Sequence, residues 1–171
     1  IVDEKGKEVD TKEVGEIIVR TTSNMIGYWN LPEETKKTLK SGWLYTGDAG
    51  FMDEDGYIYV HDRVKDMIVS GGENVYPAEV ESAIFGHEMV SDVAVIGVPD
   101  KQWGEAVKAL VVLKDNCETS EEDIINFTRQ KIAGFKTPKS VDFIKELPRN
   151  PSGKILKKEL RKPYWKGFER A

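Results

Sequence analysis

Between residues 67 and 144, apolar runs of strand length alternate with segments of helical spacing, and this alternation limits the folds open to the chain. Met67-Ile68-Val69 is a short apolar run. Pro77 opens a segment through Phe85 in which Val80, Ala83 and Ile84 share one helical face, with Gly86 as its stop. Val90 to Val98 and Ala106 to Leu113 read as strands. Ser120 then caps a second helical segment. Asp123 stands three residues on, close to a capping box, and Ile124, Ile125, Phe127 and Ile132 keep helical spacing up to Gly134. Ser140 to Ile144 reads as a third strand and Lys154 to Arg161 as a last short helix. Helices interleaved with strands predict an α+β domain, α/β-like in its alternation.

The preceding residues have a different rhythm. Residues 1–62 read as short strands punctuated by turns, with Glu16 to Arg20 and Tyr57 to His61 rich in β-branched and aromatic residues. Asp53-Glu54-Asp55-Gly56 is a hairpin turn signal, and Pro32 starts a short helix. The charged stretch Asp62-Arg63-Val64-Lys65-Asp66 marks the boundary, with one region over 1–64 and a compact α+β domain over 65–171.

Charge is unevenly spread along the 171 residues. From Arg129 onward there are 13 basic and 4 acidic residues, against 12 and 26 before it. A basic tail on an acidic body suits an anionic ligand near the tail; a solvated lysine-rich helix explains the same charges. Tyr164, Trp165 and Phe168 lie in that tail, but no nucleic-acid-binding signature accompanies them, and no nucleic acid is expected. No run approaches the ~18 apolar residues of a membrane span. A single cysteine, Cys117, excludes an internal disulfide framework and suits a reducing, cytoplasmic setting. His61 and His87 are isolated, without metal-ligand spacing, so no metal site is expected; His61 reads as a half-buried strand residue. Trp29, Trp43 and Tyr45 read as packing residues.

Three segments carry the chemistry. They are Gly42-Trp43-Leu44-Tyr45-Thr46-Gly47-Asp48, the run from Asp62 to Glu81 with Ser70-Gly71-Gly72 inside it, and Asn150-Pro151-Ser152-Gly153-Lys154. None is a P-loop or a dinucleotide fingerprint. In this order and spacing they resemble the C-terminal third of an adenylate-forming enzyme. That superfamily holds acyl-CoA synthetases, peptide-synthetase adenylation domains and firefly-type luciferases. The resemblance runs from Gly15 to about Arg161, and the Arg63–Glu81 run is most similar to the fatty-acyl-CoA ligase branch.

The resemblance implies two half-reactions in one cleft. ATP converts a carboxylic acid to an acyl-adenylate, and coenzyme A then displaces AMP. The small C-terminal domain rotates between the two. Residues 1–64 would be the end of the large domain and 65–171 the mobile lid. ATP, coenzyme A and the acid are the implied partners, with Mg2+ held mainly by residues upstream; no oligomeric state follows.

Each motif has a physical reading beside that inheritance. Asp48, read as closing a tight turn, presents a carboxylate suited to the ribose diol, or merely bonds its own turn. Arg63 offers a five-donor fork for the nucleotide, or a surface ion pair with Asp62 or Asp66. Lys65 matches the hinge position, or is an ordinary linker lysine. Ser70, Gly71 and Gly72 present backbone that a narrow thiol arm can approach, and suit a hairpin turn equally. Lys154 is the implied catalytic residue. Its ammonium would meet negative charge gathering on the α-phosphate; the alternative is the first residue of a basic helix. Glu79 and Glu81 read as solvated or as charges near a helix start, and Lys157, Lys158 and Arg161 as a solvated helical face.

The phosphate loop and acid pocket of the superfamily are absent here, and residue 1 is Ile, so the chain reads as a C-terminal fragment unable to turn over alone. Two other readings stay open: an adenylation domain loading a carrier protein, and a stand-alone binding or regulatory module.

Overall fold

The computed structural model describes residues 1–168. The chain divides into two compact units, Ile1–Lys65 and Asp66–Ala171.

In the first unit the described elements are β1 (Gly15–Val19), α1 (Pro32–Thr38), β2 (Leu39–Lys40), β3 (Trp43–Met52) and β4 (Ile58–Arg63). They make a four-stranded antiparallel sheet in which β3 pairs with β1, β2 and β4. The expected reversal at Gly42–Asp48 is thus a strand for most of its length. The turn is shorter than expected, because Lys40 pairs with Trp43 around Ser41-Gly42, both with positive φ. The Asp53–Gly56 signal forms the expected turn between β3 and β4. The Asp53 carboxylate accepts the Asp55 and Tyr57 amides at 3.0 and 2.9 Å. Two apolar side chains of this unit, Val2 and Ala49, are buried among the described residues. Trp29, expected to pack, is 90% exposed, because its loop precedes a helix that buries nothing. Trp43 and Tyr45 are half-buried beneath Arg20 and Lys40, at 4.6 and 4.1 Å from the ring centres.

The second unit builds a sheet from β5 (Ile68–Ser70), β6 (Glu73–Val75), β7 (Val90–Asp100), β8 (Gly104–Leu113) and β9 (Ser140–Phe143). The path is β6-β5-β8-β7, antiparallel throughout, and β9 joins β8 in parallel. The helices are α2 (Pro77–Phe85), α3 (Glu121–Arg129) and α4 (Lys157–Arg161). Val93 and Val95 of β7 with Val107, Ala109 and Val111 of β8 meet Val80 and Ile84 of α2 and Ile124 of α3. Ala94, Ile96 and Leu110 face the other way, onto Leu147 and the partly buried Ile155, Leu160 and Tyr164. Covering both faces explains why Val93–Val98 is apolar without alternation.

Helix ends depart from expectation in two places. Ser120 caps α3 by accepting the Asp123 amide at 3.1 Å, as the sequence predicts. The helix then stops at Arg129, leaving Ile132 and Gly134 outside it, because Lys131 and Ile132 both turn back onto the Thr128 carbonyl. The last helix begins at Lys157 rather than Lys154. An antiparallel bridge between Arg149 and Ile155 keeps the chain extended there. No helix among the described residues is long and apolar enough to cross a membrane.

Candidate functional site

In the first unit Asp48 and Arg63 are directly opposed across β3 and β4. The expected turn position of Asp48 is a strand position. It is fixed from behind by Thr46, whose hydroxyl donates to the Ile17 carbonyl at 2.7 Å and accepts the Asp48 amide at 3.0 Å. A register shift puts His61 as an extra residue in β4 before Asp62 and Arg63. The ring of half-buried His61 meets Phe51 edge-on. Arg63 ends β4 with its guanidinium Nε 3.2 Å from Asp48 Oδ1, an ion pair across the sheet, while its amide donates to Asp62 Oδ1 at 2.7 Å. Both side chains stay partly open, at 49% and 35% exposure. An anchored carboxylate beside a guanidinium presents acceptors and donors side by side, which suits a polar ligand carrying hydroxyls and phosphate. Lys65 closes the unit in a 3-10 turn, Val64–Asp66, and its side chain is exposed.

In the second unit Ser70-Gly71-Gly72 joins β5 to β6. Ser70 pairs with Glu73, and both glycines have positive φ (63° and 87°), a two-residue hairpin turn that strongly favours glycine. Ser70 itself is buried, while both glycines are exposed. A side chain at Gly71 would also strike the Trp103 ring, at 2.6 Å, whereas space beside Gly72 is open. The Gly71 amide donates to the Trp103 carbonyl at 2.8 Å, which fixes the turn.

Lys154 is exposed at the end of a tight turn. The Gly153 amide bonds the Asn150 carbonyl, and Asn150 and Lys154 pair through backbone at 2.9 Å. Its ammonium makes no hydrogen bond or ion pair among the described residues. It is not the first residue of a helix.

Four neighbouring charges read as solvated are instead paired, and Glu79 does stand in the first turn of α2, the other reading of that residue. Glu79 pairs with Lys136 at 2.7 Å. Glu81 accepts the Val95 amide at 2.7 Å and pairs with Lys157 at 2.8 Å. Arg161 meets Asp66 at 2.5 Å with both side chains 14% exposed, and its Nε is buried without a partner. Packing of α4 against the sheet accounts for the Glu81–Lys157 and Arg161–Asp66 pairs, and the loop after α3 brings Lys136 to Glu79. Lys158 remains exposed as expected.

A polar cluster that the sequence did not signal lies behind the tail. Buried Lys108 pairs with Asp142 at 2.7 Å and bonds Ser140 at 3.1 Å; the Tyr164 hydroxyl donates to Asp142. Burial disfavours a charged Asp142, but hydrogen bonds from Lys108 and Tyr164 outweigh it and hold the carboxyl below its ordinary range. Burial, then the bond to Asp142, pushes the Tyr164 phenol well above its own. His87 is also buried, its ring 3.2 Å from Asp123 and edge-on to Phe127. Among the described residues no group of His, Cys, Asp and Glu is arranged to hold a metal ion.

Comparison with known proteins gives this geometry a family. Residues 79–154 match the AMP-binding enzyme C-terminal domain. The fatty acid–[acyl-carrier-protein] ligase ScoC of Streptomyces coeruleorubidus is 47% identical over 96% of this chain and 32% of its own length. A feruloyl-CoA synthase of an Amycolatopsis species is 48% identical over 93% of this chain and 32% of its own. The crystal structure of ATP-bound MatB from Rhodopseudomonas palustris superposes with a TM-score of 0.88 at 39% identity, covering 98% of this chain and 33% of that one. The chain thus spans about a third of the length of the relatives it matches. It belongs to the adenylate-forming enzymes and carries their AMP-binding enzyme C-terminal domain.

Proposed function

We propose that the chain is the C-terminal part of an ATP-dependent acid–thiol ligase, and that it acts in a cytoplasmic setting. In the first half-reaction a carboxylate oxygen of the acid attacks the α-phosphorus of ATP, and pyrophosphate leaves. In the second the thiolate of coenzyme A attacks the acyl carbon, and AMP leaves. A fatty acid is the first acid to test, because the Arg63–Glu81 run is most similar to the fatty-acyl branch.

The observation that carries the reading is the state of Lys154, an exposed ammonium that makes no ion pair among the described residues, on a turn with fixed backbone. Such a group is free to meet charge that gathers on the α-phosphate oxygens. Asp48 and Arg63 would hold the ribose and phosphate of the nucleotide. The Gly71-Gly72 turn would flank the pantetheine arm, and Lys65 would be the pivot. The residues described supply polar contacts for ATP and an open backbone for the thiol arm. Mg2+ is assigned to residues outside this chain.

The two relatives differ in acid and in acceptor at nearly equal identity. A carrier-protein thiol in place of coenzyme A is therefore the second reading, favoured by the name of ScoC. Pyrophosphate exchange by the full-length protein across fatty, aromatic and dicarboxylic acids tests the first half-reaction and names the acid. Offering coenzyme A or a phosphopantetheinylated carrier to the resulting acyl-adenylate names the acceptor. Absence of acid-dependent exchange with every acid would contradict the ligase reading, whereas exchange catalysed by the 171-residue chain alone would contradict the expectation that this piece cannot turn over by itself.

A further inference from the structure

Lys154 can act only if its backbone is held while its side chain is free, and three side chains outside the proposed site do the holding. Asn150 Oδ1 accepts the Ser152 amide at 3.0 Å, the Ser152 hydroxyl at 2.8 Å and the Lys154 amide at 2.9 Å. One carboxamide oxygen therefore ties both ends of the turn. Arg149 adds a second tie from outside. Its Nη1 donates to the Gly153 carbonyl at 2.7 Å, and its Nη2 to the Asp92 carboxylate on β7 at 2.5 Å. The turn is thus fastened to the central hairpin of the unit through the peptide just before Lys154.

The outer ties through Arg149 contribute little to stability. Arg149 is 43% and Asp92 31% exposed, a setting in which solvent screens an ion pair and leaves it little net effect on stability. Their geometric consequence is larger, because a displacement of roughly 1 Å in a reacting group costs on the order of 100-fold in rate.

We propose that Asn150 is a positioning residue for adenylation, seconded by Arg149 through Asp92, and that it leaves thioester formation untouched. The proposal rests on the assignment of Lys154 to the first half-reaction. Asn150→Asp keeps an acceptor oxygen in place; Asn150→Ala removes all three bonds.

The test uses the full-length protein and measures pyrophosphate exchange, thioester formation from supplied acyl-adenylate, and thermal unfolding. For Asn150→Ala we expect exchange to fall on the order of 10- to 100-fold. Thioester formation should stay within about 2-fold and the unfolding temperature should not change. Asn150→Asp should recover most of the exchange, and Arg149→Ala should show a smaller loss with the same split. Equal loss in both half-reactions, or failure of Asn150→Asp to recover exchange, would make the role merely structural and overturn the proposal. Intact exchange in Asn150→Ala beside lost exchange in Lys154→Ala would overturn this inference alone. Intact exchange in Lys154→Ala would overturn the assignment beneath it, and the positioning role with it.

Discussion

The two units solve the problem of burying apolar surface in opposite ways. Asp66–Ala171 wraps both faces of its sheet, and Ile68, Val80, Ile84, Val95 and Ile124 lose all contact with solvent. Ile1–Lys65 has a sheet of similar strand length, yet only Val2 and Ala49 are buried among its apolar side chains, while Ile26, Trp29, Tyr57, Ile58 and Val60 lie in the open. A sheet is stabilised by what covers it, at about 25 cal/mol per Å² of apolar surface removed from water. The second unit supplies its own cover and the first does not. The difference also divides the proposed chemistry. A partly open carboxylate–guanidinium pair sits on the uncovered sheet, and the exposed ammonium of Lys154 sits in the self-sufficient unit.

Separating the units breaks the comparison most directly. Residues 66–171 alone should unfold in one cooperative thermal transition, and residues 1–65 alone should show none. A sharp transition in the shorter piece would mean that its sheet needs no cover.

Point substitutions sharpen the contrast by smaller amounts. Ile84→Ala should destabilise the second unit by about 2–5 kcal/mol, the cost of a cavity in a closed core. Ile58→Ala, at a side chain that is 54% exposed, should stay within about 0.5 kcal/mol. Denaturant unfolding of the full chain measures both, and equal losses would remove the distinction.

A pH effect is the smallest. The Asp142 carboxyl is held below its ordinary range in the folded state. Its contribution is therefore present above the unfolded value, about 3.9, and is lost as pH falls through the lower folded value. Tyr164→Phe removes one of the bonds that depress it, so less stability should disappear on acidification below about pH 4. An unchanged acid limb in that variant would show that Tyr164 does not hold Asp142.

The second unit was the more legible in sequence, for the same physical reason. Runs such as Val90–Val98 and caps such as Ser120 declare local structure because local rules and packing agree there. In the first unit β3 was hidden. Gly47, Asp48 and Gly50 are poor strand formers, and only pairing with β1 and β4 makes them one. Charged residues misled in both directions. Arg161 looked solvated because its partner Asp66 lies 95 residues earlier, a distance no periodicity reports. Of the site, Asp48, Arg63, Gly71, Gly72 and Lys154 were visible as motifs. Asn150 carried a readable signal, an Asn two residues before a Ser and four before Lys154, the pattern of a side-chain-closed turn. Arg149 and Asp92 carried none, since they meet only through the fold.

The central claim is that Lys154 serves one half-reaction and withdraws from the other. In the full-length protein, Lys154→Ala should lower pyrophosphate exchange on the order of 100- to 1000-fold, about 3–4 kcal/mol of transition-state stabilisation. Thioester formation from supplied acyl-adenylate should remain near that of the unaltered enzyme. Equal loss of both activities, or retention of both, would contradict the account.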